Sequence, residues 1–136
     1  MANYKIEDLE GVGAVRGEKL RAAGIKDTDS LLAACATKKQ RADLAAKAGV
    51  SAKRLMKWAN MADLYRISGV GSEYAELLEA AGVDTVPELA QRNAANLAAA
   101  IAAVNKTKKL TRRVPNEAEV EKWVAQAKKL PRVLQY

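Results

Sequence analysis

Leu9-Glu10-Gly11-Val12-Gly13 and Ile67-Ser68-Gly69-Val70-Gly71 are one phrase written twice: an apolar residue, a spacer, then Gly-Val-Gly. The likeness extends outward. Ala22-Ala23-Gly24-Ile25 recurs as Ala80-Ala81-Gly82-Val83, and Glu18, Leu20 and Leu31 recur as Glu76, Leu78 and Leu89. All of these pairs share the offset that separates Gly11 from Gly69. Self-similarity at a fixed spacing marks a repeated supersecondary unit. Lys57-Trp58 recurs as Lys122-Trp123 at a larger offset, so the second copy holds an insertion. The chain divides into a first unit, 1–66, and a second, 67–136, with a basic insertion near 106–115, most of it 107–115.

Helix signals fill both copies. In the first, a helix from Ala14 to Ala23 is closed by Gly24. Asp27, Thr28 or Asp29 caps a short helix carrying Leu31 and Leu32. Thr37 opens a helix through Leu44 and Ala48 that stops at Gly49. Ser51 opens a longer one whose Leu55, Trp58, Met61, Ala62 and Tyr65 share a stripe at helical spacing. In the second, Ser72 opens the helix through Leu77 and Leu78. Thr85 with Glu88 forms a capping-box pattern with Pro87 in the first turn. Asn93 or Asn96 starts an alanine-rich helix to Val104. Asn116 with Glu119 opens the last helix, which carries Val120, Trp123, Val124 and Ala127 and ends before Pro131. No segment alternates with the period of a half-buried strand. The expected fold is all-α: two tandem repeats packed as one compact helical domain.

Composition narrows the function. The 136 residues are 49% hydrophobic but only 4% aromatic, with no Phe; alanine favours helices and buries little area. Histidine is absent and Cys35 is the only cysteine. That excludes a histidine-dependent triad, a His/Cys zinc centre and an intramolecular disulfide. No nucleophile–base pair, carboxylate pair or Walker-type loop appears, so no catalytic residue, metal or cofactor is expected. No apolar run reaches the length of a membrane span and the N-terminus lacks a signal-peptide core, so a soluble cytoplasmic protein is expected. The net charge of +7, from 23 basic and 16 acidic residues, puts polyanions first among partner classes.

The Gly-Val-Gly phrase followed by a helix ending in Ala-Ala-Gly resembles the helix-hairpin-helix motif. That resemblance implies non-sequence-specific binding of duplex nucleic acid through its backbone. The physics agrees: glycines allow unusual backbone conformations and close approach of a ligand, and amides at a helix N-terminus suit a phosphate oxygen. Nearly the whole chain also resembles the bacterial family DUF4332. The residues concerned run from Tyr4-Lys5-Ile6-Glu7-Asp8 through Ile67-Ser68-Gly69-Val70-Gly71 and Ala81-Gly82-Val83-Asp84 to Glu121-Lys122-Trp123. This family has no assigned function.

The two hairpins differ in charge. Around the first, Gly11, Gly13 and Ala14 offer amides, and Arg16, Lys19 and Arg21 offer cations. The helix after the second carries Glu73, Glu76 and Glu79, and acids repel a phosphate. Other basic clusters are Lys38-Lys39 with Arg41, Lys53-Arg54 with Lys57, and Lys106, Lys108, Lys109, Arg112 and Arg113 in and beside the insertion. The expected function is binding of nucleic acid, DNA before RNA, through hairpin one and the basic insertion. The alternative is a protein-interaction adaptor docking through Glu73, Tyr74, Glu76 and Glu79.

Overall fold

The structure, a computed structural model, describes residues 3–136. Among these residues it holds eight α-helices after a short 3-10 turn at Ile6–Asp8: α1 Gly13–Ala22, α2 Thr28–Ala34, α3 Lys38–Ala48, α4 Ala52–Leu64, α5 Ser72–Ala80, α6 Val86–Ala90, α7 Ala94–Lys108 and α8 Glu117–Lys129. The only extended pairing described is a one-residue bridge between Lys5 and Asp27. The fold is all-helical.

The helices fall into two compact units, one of Asn3–Asp63 with Arg132–Tyr136 and one running from Leu64 to Pro131. The repeat spacing predicts a boundary after residue 66 and places the whole C-terminus in the second unit. Residues 132–136 group with the first unit for a local reason. Leu134 is buried, the Gln135 amide donates to the Ala36 carbonyl at 2.8 Å, and the buried Arg41 guanidinium donates to the carbonyls of Cys35 at 2.8 Å and Gln135 at 2.6 Å. A buried guanidinium is tolerated because it is hydrogen-bonded.

The same local structure appears in each unit. Val12 donates to Leu9 and Val70 to Ile67, both at 3.1 Å. Ile25 donates to Leu20 at 2.9 Å and Val83 to Leu78 at 2.8 Å, closing α1 and α5 in the same way. Gly11 and Gly69 sit at φ 87° and 92°, conformations that L side chains rarely adopt. A Cβ there would meet the indole Nε1 of Trp58 at 3.4 Å and of Trp123 at 3.2 Å respectively. Each turn is thus pressed onto the tryptophan of its unit's long helix, α4 or α8. Both indoles are core residues, 2% and 4% exposed. Truncating either to alanine is expected to cost about 3–5 kcal/mol.

Most caps fall where the sequence places them. Asp27, Thr37 and Asn116 form reciprocal boxes with Ser30, Gln40 and Glu119. Asn93 accepts from the Asn96 amide, and Ser51 from the Arg54 amide. Ser72 opens α5 as its first helical residue, behind an extended Gly71. One expected cap does not form. Thr85 is buried and turns its hydroxyl to the Glu88 carboxylate, so it makes no cap bond to the α6 backbone. Helix α7 continues past Val104 to Lys108, so Lys106 and Lys108 lie on its last turn.

Candidate nucleic-acid interface

Gly11, Gly13 and Ala14 are exposed at the start of α1. The first amides of a helix have no partner within it. At α2, α3, α7 and α8 a side chain supplies one; at α1 none does, and no acid stands in the first turn. The α5 N-terminus also lacks a side-chain cap but has Glu73 in its first turn. The turns differ further. Gly13 has φ 68°, whereas Gly71 is extended at φ −99°. In the second turn, Gln126 of α8 holds the Ser68 backbone from both sides, accepting from its amide at 3.0 Å and donating to its carbonyl at 3.2 Å.

The cations expected around the first turn divide. Arg16 and Lys19 line a cleft of about 300 Å³ between α1 and the short turn from Gly49 to Ser51. Arg54, from the first turn of α4, lines the same cleft. Val15 stands at its edge, 70% exposed. Among the described residues the side chains of Arg16, Lys19 and Arg54 have no hydrogen-bond or ion-pair partner. Arg21 lies elsewhere: it pairs with Glu7, its Nη2 donating to Oε1 at 2.7 Å and its Nε to Oε2. The guanidinium holds the Glu7 carboxyl at about 2, well below the carboxylate range. Arg21 is therefore engaged and does not join the cleft.

The insertion is an ordered arm. Asn105 clasps Thr111, its Nδ2 donating to the Thr111 carbonyl at 2.9 Å and its Oδ1 accepting from the Thr111 amide at 3.0 Å. The Thr111 hydroxyl donates to the Arg113 carbonyl at 2.8 Å. Lys109 closes α7 in the left-handed region, φ 50° and ψ 46°. Lys109 and Arg112 are exposed on a cleft of about 620 Å³ that Glu73 and Tyr74 also line. Arg113 is committed: its Nη1 donates to the Tyr74 hydroxyl at 2.8 Å and to Glu119 Oε2 at 3.2 Å, and its Nη2 to Glu119 Oε1. The pairing raises the Arg113 pKa and lowers that of Glu119.

The acidic candidates are spread around α5. Glu73 is exposed, whereas Tyr74, Glu76 and Glu79 are half-buried. Tyr74 also meets Trp123, with ring centroids 5.4 Å apart. No group of described side chains has the makings of a metal site, and no described helix is long and apolar enough to cross a membrane.

Sequence reasoning had not joined Arg54 to Arg16 and Lys19. The available signal was Ser51: as the cap of α4 it fixes where that helix starts, and hence that Arg54 falls in its first turn.

The chain is thus an all-helical protein of two units, each built around a Gly-Val-Gly turn seated on a tryptophan. The family model described as a domain of unknown function, DUF4332, matches residues 10–130, and the chain belongs to that family. No curated protein and no solved structure matches it.

Proposed function

We propose that the chain binds double-stranded nucleic acid, DNA before RNA, through its backbone and without sequence readout. In this reading it is a binding module and not an enzyme, and the Gly-Val-Gly turns are the hairpins of helix-hairpin-helix units. One observation carries the reading: the uncapped, acid-free start of α1 lies beside a cleft lined by the unpartnered cations of Arg16, Lys19 and Arg54. Backbone amides and free guanidinium groups are the donors that phosphate oxygens accept from. The net charge of +7 supports attraction to a polyanion. Lys106, Lys108, Lys109 and Arg112 are exposed on α7 and the insertion and supply a second set of cations.

The adaptor reading has weaker support. Tyr74 is already held by Arg113 and Trp123, and Glu76 and Glu79 are half-buried, leaving Glu73 as the exposed member of that set.

Fluorescence anisotropy of a labelled random-sequence duplex tests the reading, with titrations at about 50 and about 200 mM salt. The expected result is micromolar binding that weakens steeply with salt and is largely lost in the Arg16→Glu, Lys19→Glu double variant. A folded protein that binds no duplex at low salt overturns it.

A further inference from the structure

The two clefts occupy matching places in the two units. Each lies between the helix that follows a Gly-Val-Gly turn and the connection leading into the tryptophan helix. Each is bordered by a residue closing the preceding helix in the left-handed region, Gly49 at φ 68° and Lys109 at φ 50°. By the offset that pairs Gly11 with Gly69, Arg16 corresponds to Tyr74. By the offset that pairs Trp58 with Trp123, Arg54 corresponds to Glu119, the two residues standing three places after the caps Ser51 and Asn116.

In the second unit these two positions are hydrogen-bond acceptors, and a cation bridges them: the Arg113 guanidinium reaches from the insertion to both Tyr74 and Glu119. In the first unit the same two positions are cations. The connection there is the short turn at Gly49, Val50 and Ser51, with no insertion to bring a bridging group, and no partner for either guanidinium is described. The signs are inverted: acceptor, cation, acceptor in one unit; cation, gap, cation in the other. Two guanidinium groups facing one small cleft repel each other, and an anion between them reverses that interaction. Guanidinium groups favour phosphate with parallel N–H donors.

We propose that the first cleft holds one phosphate group bridged between Arg16 and Arg54, with Lys19 at its edge, and that the second unit has no such site because its own Arg113 fills the corresponding space. The proposal deepens the nucleic-acid reading and rests on it only for the source of the phosphate, a nucleic-acid backbone or a free phosphate ion. The volume of about 300 Å³ admits a phosphate group, and the choice of phosphate rests on the two guanidinium groups that line the cleft. The chain therefore takes one phosphate in this way, not two.

The test is a ¹H–¹⁵N NMR titration of the full chain with inorganic phosphate and, separately, with a short duplex. The expected result is saturable movement of the Arg16, Val50 and Arg54 signals at one equivalent, while Tyr74 and Arg113 stay still. In anisotropy, Arg16→Gln and Arg54→Gln each weaken duplex binding about ten-fold and lower the salt slope by about 1. The double variant costs less than the product of the two, because both grip one group. Arg54 is exposed, so its removal leaves the melting temperature unchanged and a lost signal is not lost folding. Lys128→Gln, on α8, leaves both titrations unchanged. Movement with free phosphate but no duplex binding overturns the nucleic-acid reading and keeps the cleft. Duplex binding with still signals at Arg16 and Arg54, or strictly multiplicative variants, overturns the cleft and keeps the reading. No response to either probe overturns both.

Discussion

Lys109 and Gly49 close equivalent helices in the same left-handed conformation, and a reciprocal exchange measures what that costs. A non-glycine residue in this region is less stable by about 1–2 kcal/mol. Glycine loses part of that advantage because its unfolded chain is freer, by about 0.4–1 kcal/mol. A Cβ at Gly49 meets nothing within 4 Å, so no clash adds to the balance. Gly49→Ala is therefore expected to destabilise by about 1 kcal/mol. Lys109→Gly is expected to stabilise by about 0.5–1 kcal/mol, the Asn105–Thr111 clasp keeping the backbone where it is. Urea unfolding followed by circular dichroism reads both, and in thermal melts the shifts are about 4 °C per kcal/mol for a chain of this size. A Lys109→Gly protein no more stable than the parent, beside a destabilised Gly49→Ala, would refute the left-handed close of α7.

Other expectations follow from single contacts. The folded-state pKa of Glu7 is depressed from 4.5 to about 2, so its pair with Arg21 contributes stability above about pH 4.5 that is lost as the pH falls toward 2. Arg21→Ala removes that dependence, and unfolding midpoints of parent and variant converge near pH 2; parallel curves would exclude the pair as the cause. Burial pushes the Cys35 thiol up to about 12, so a thiol reagent labels native protein far more slowly than protein in urea. Equal rates would place Cys35 at the surface. Gln126→Ala frees the Ser68 amide, which then exchanges with solvent faster, while Glu10 in the other turn is unaffected.

Much of the fold is legible because helices announce themselves locally. Asp27, Thr37, Ser51, Asn93 and Asn116 each cap the helix they precede, and the two Gly-Val-Gly phrases do form like turns. Thr85 shows the limit: its spacing to Glu88 is that of a capping box, but burial turns the hydroxyl elsewhere. The candidate site is less legible because it depends on where long side chains end. Arg21 and Arg113 looked like free cations beside the turns, yet Glu7 and Glu119 claim them through contacts that no spacing rule exposes. Arg54 belongs in the sequence to a separate basic cluster, with Lys53 and Lys57. It joins Arg16 and Lys19 only because the turn at Gly49 brings the start of α4 back beside α1.

The placement of residues 132–136 has a consequence for synthesis. Ribosomes make the chain from its N-terminus, so the stretch from Asn3 to Asp63 emerges well before its last pieces. Until Leu134 and Gln135 are made, Arg41 lacks the Gln135 carbonyl and the hydrophobic seat of Leu134 is empty. The contiguous Leu64–Pro131 unit needs nothing from later in the chain. Of the two units, the one whose synthesis starts first is therefore completed last, and a chain cut before Leu134 carries the cation-lined cleft on an unfinished support.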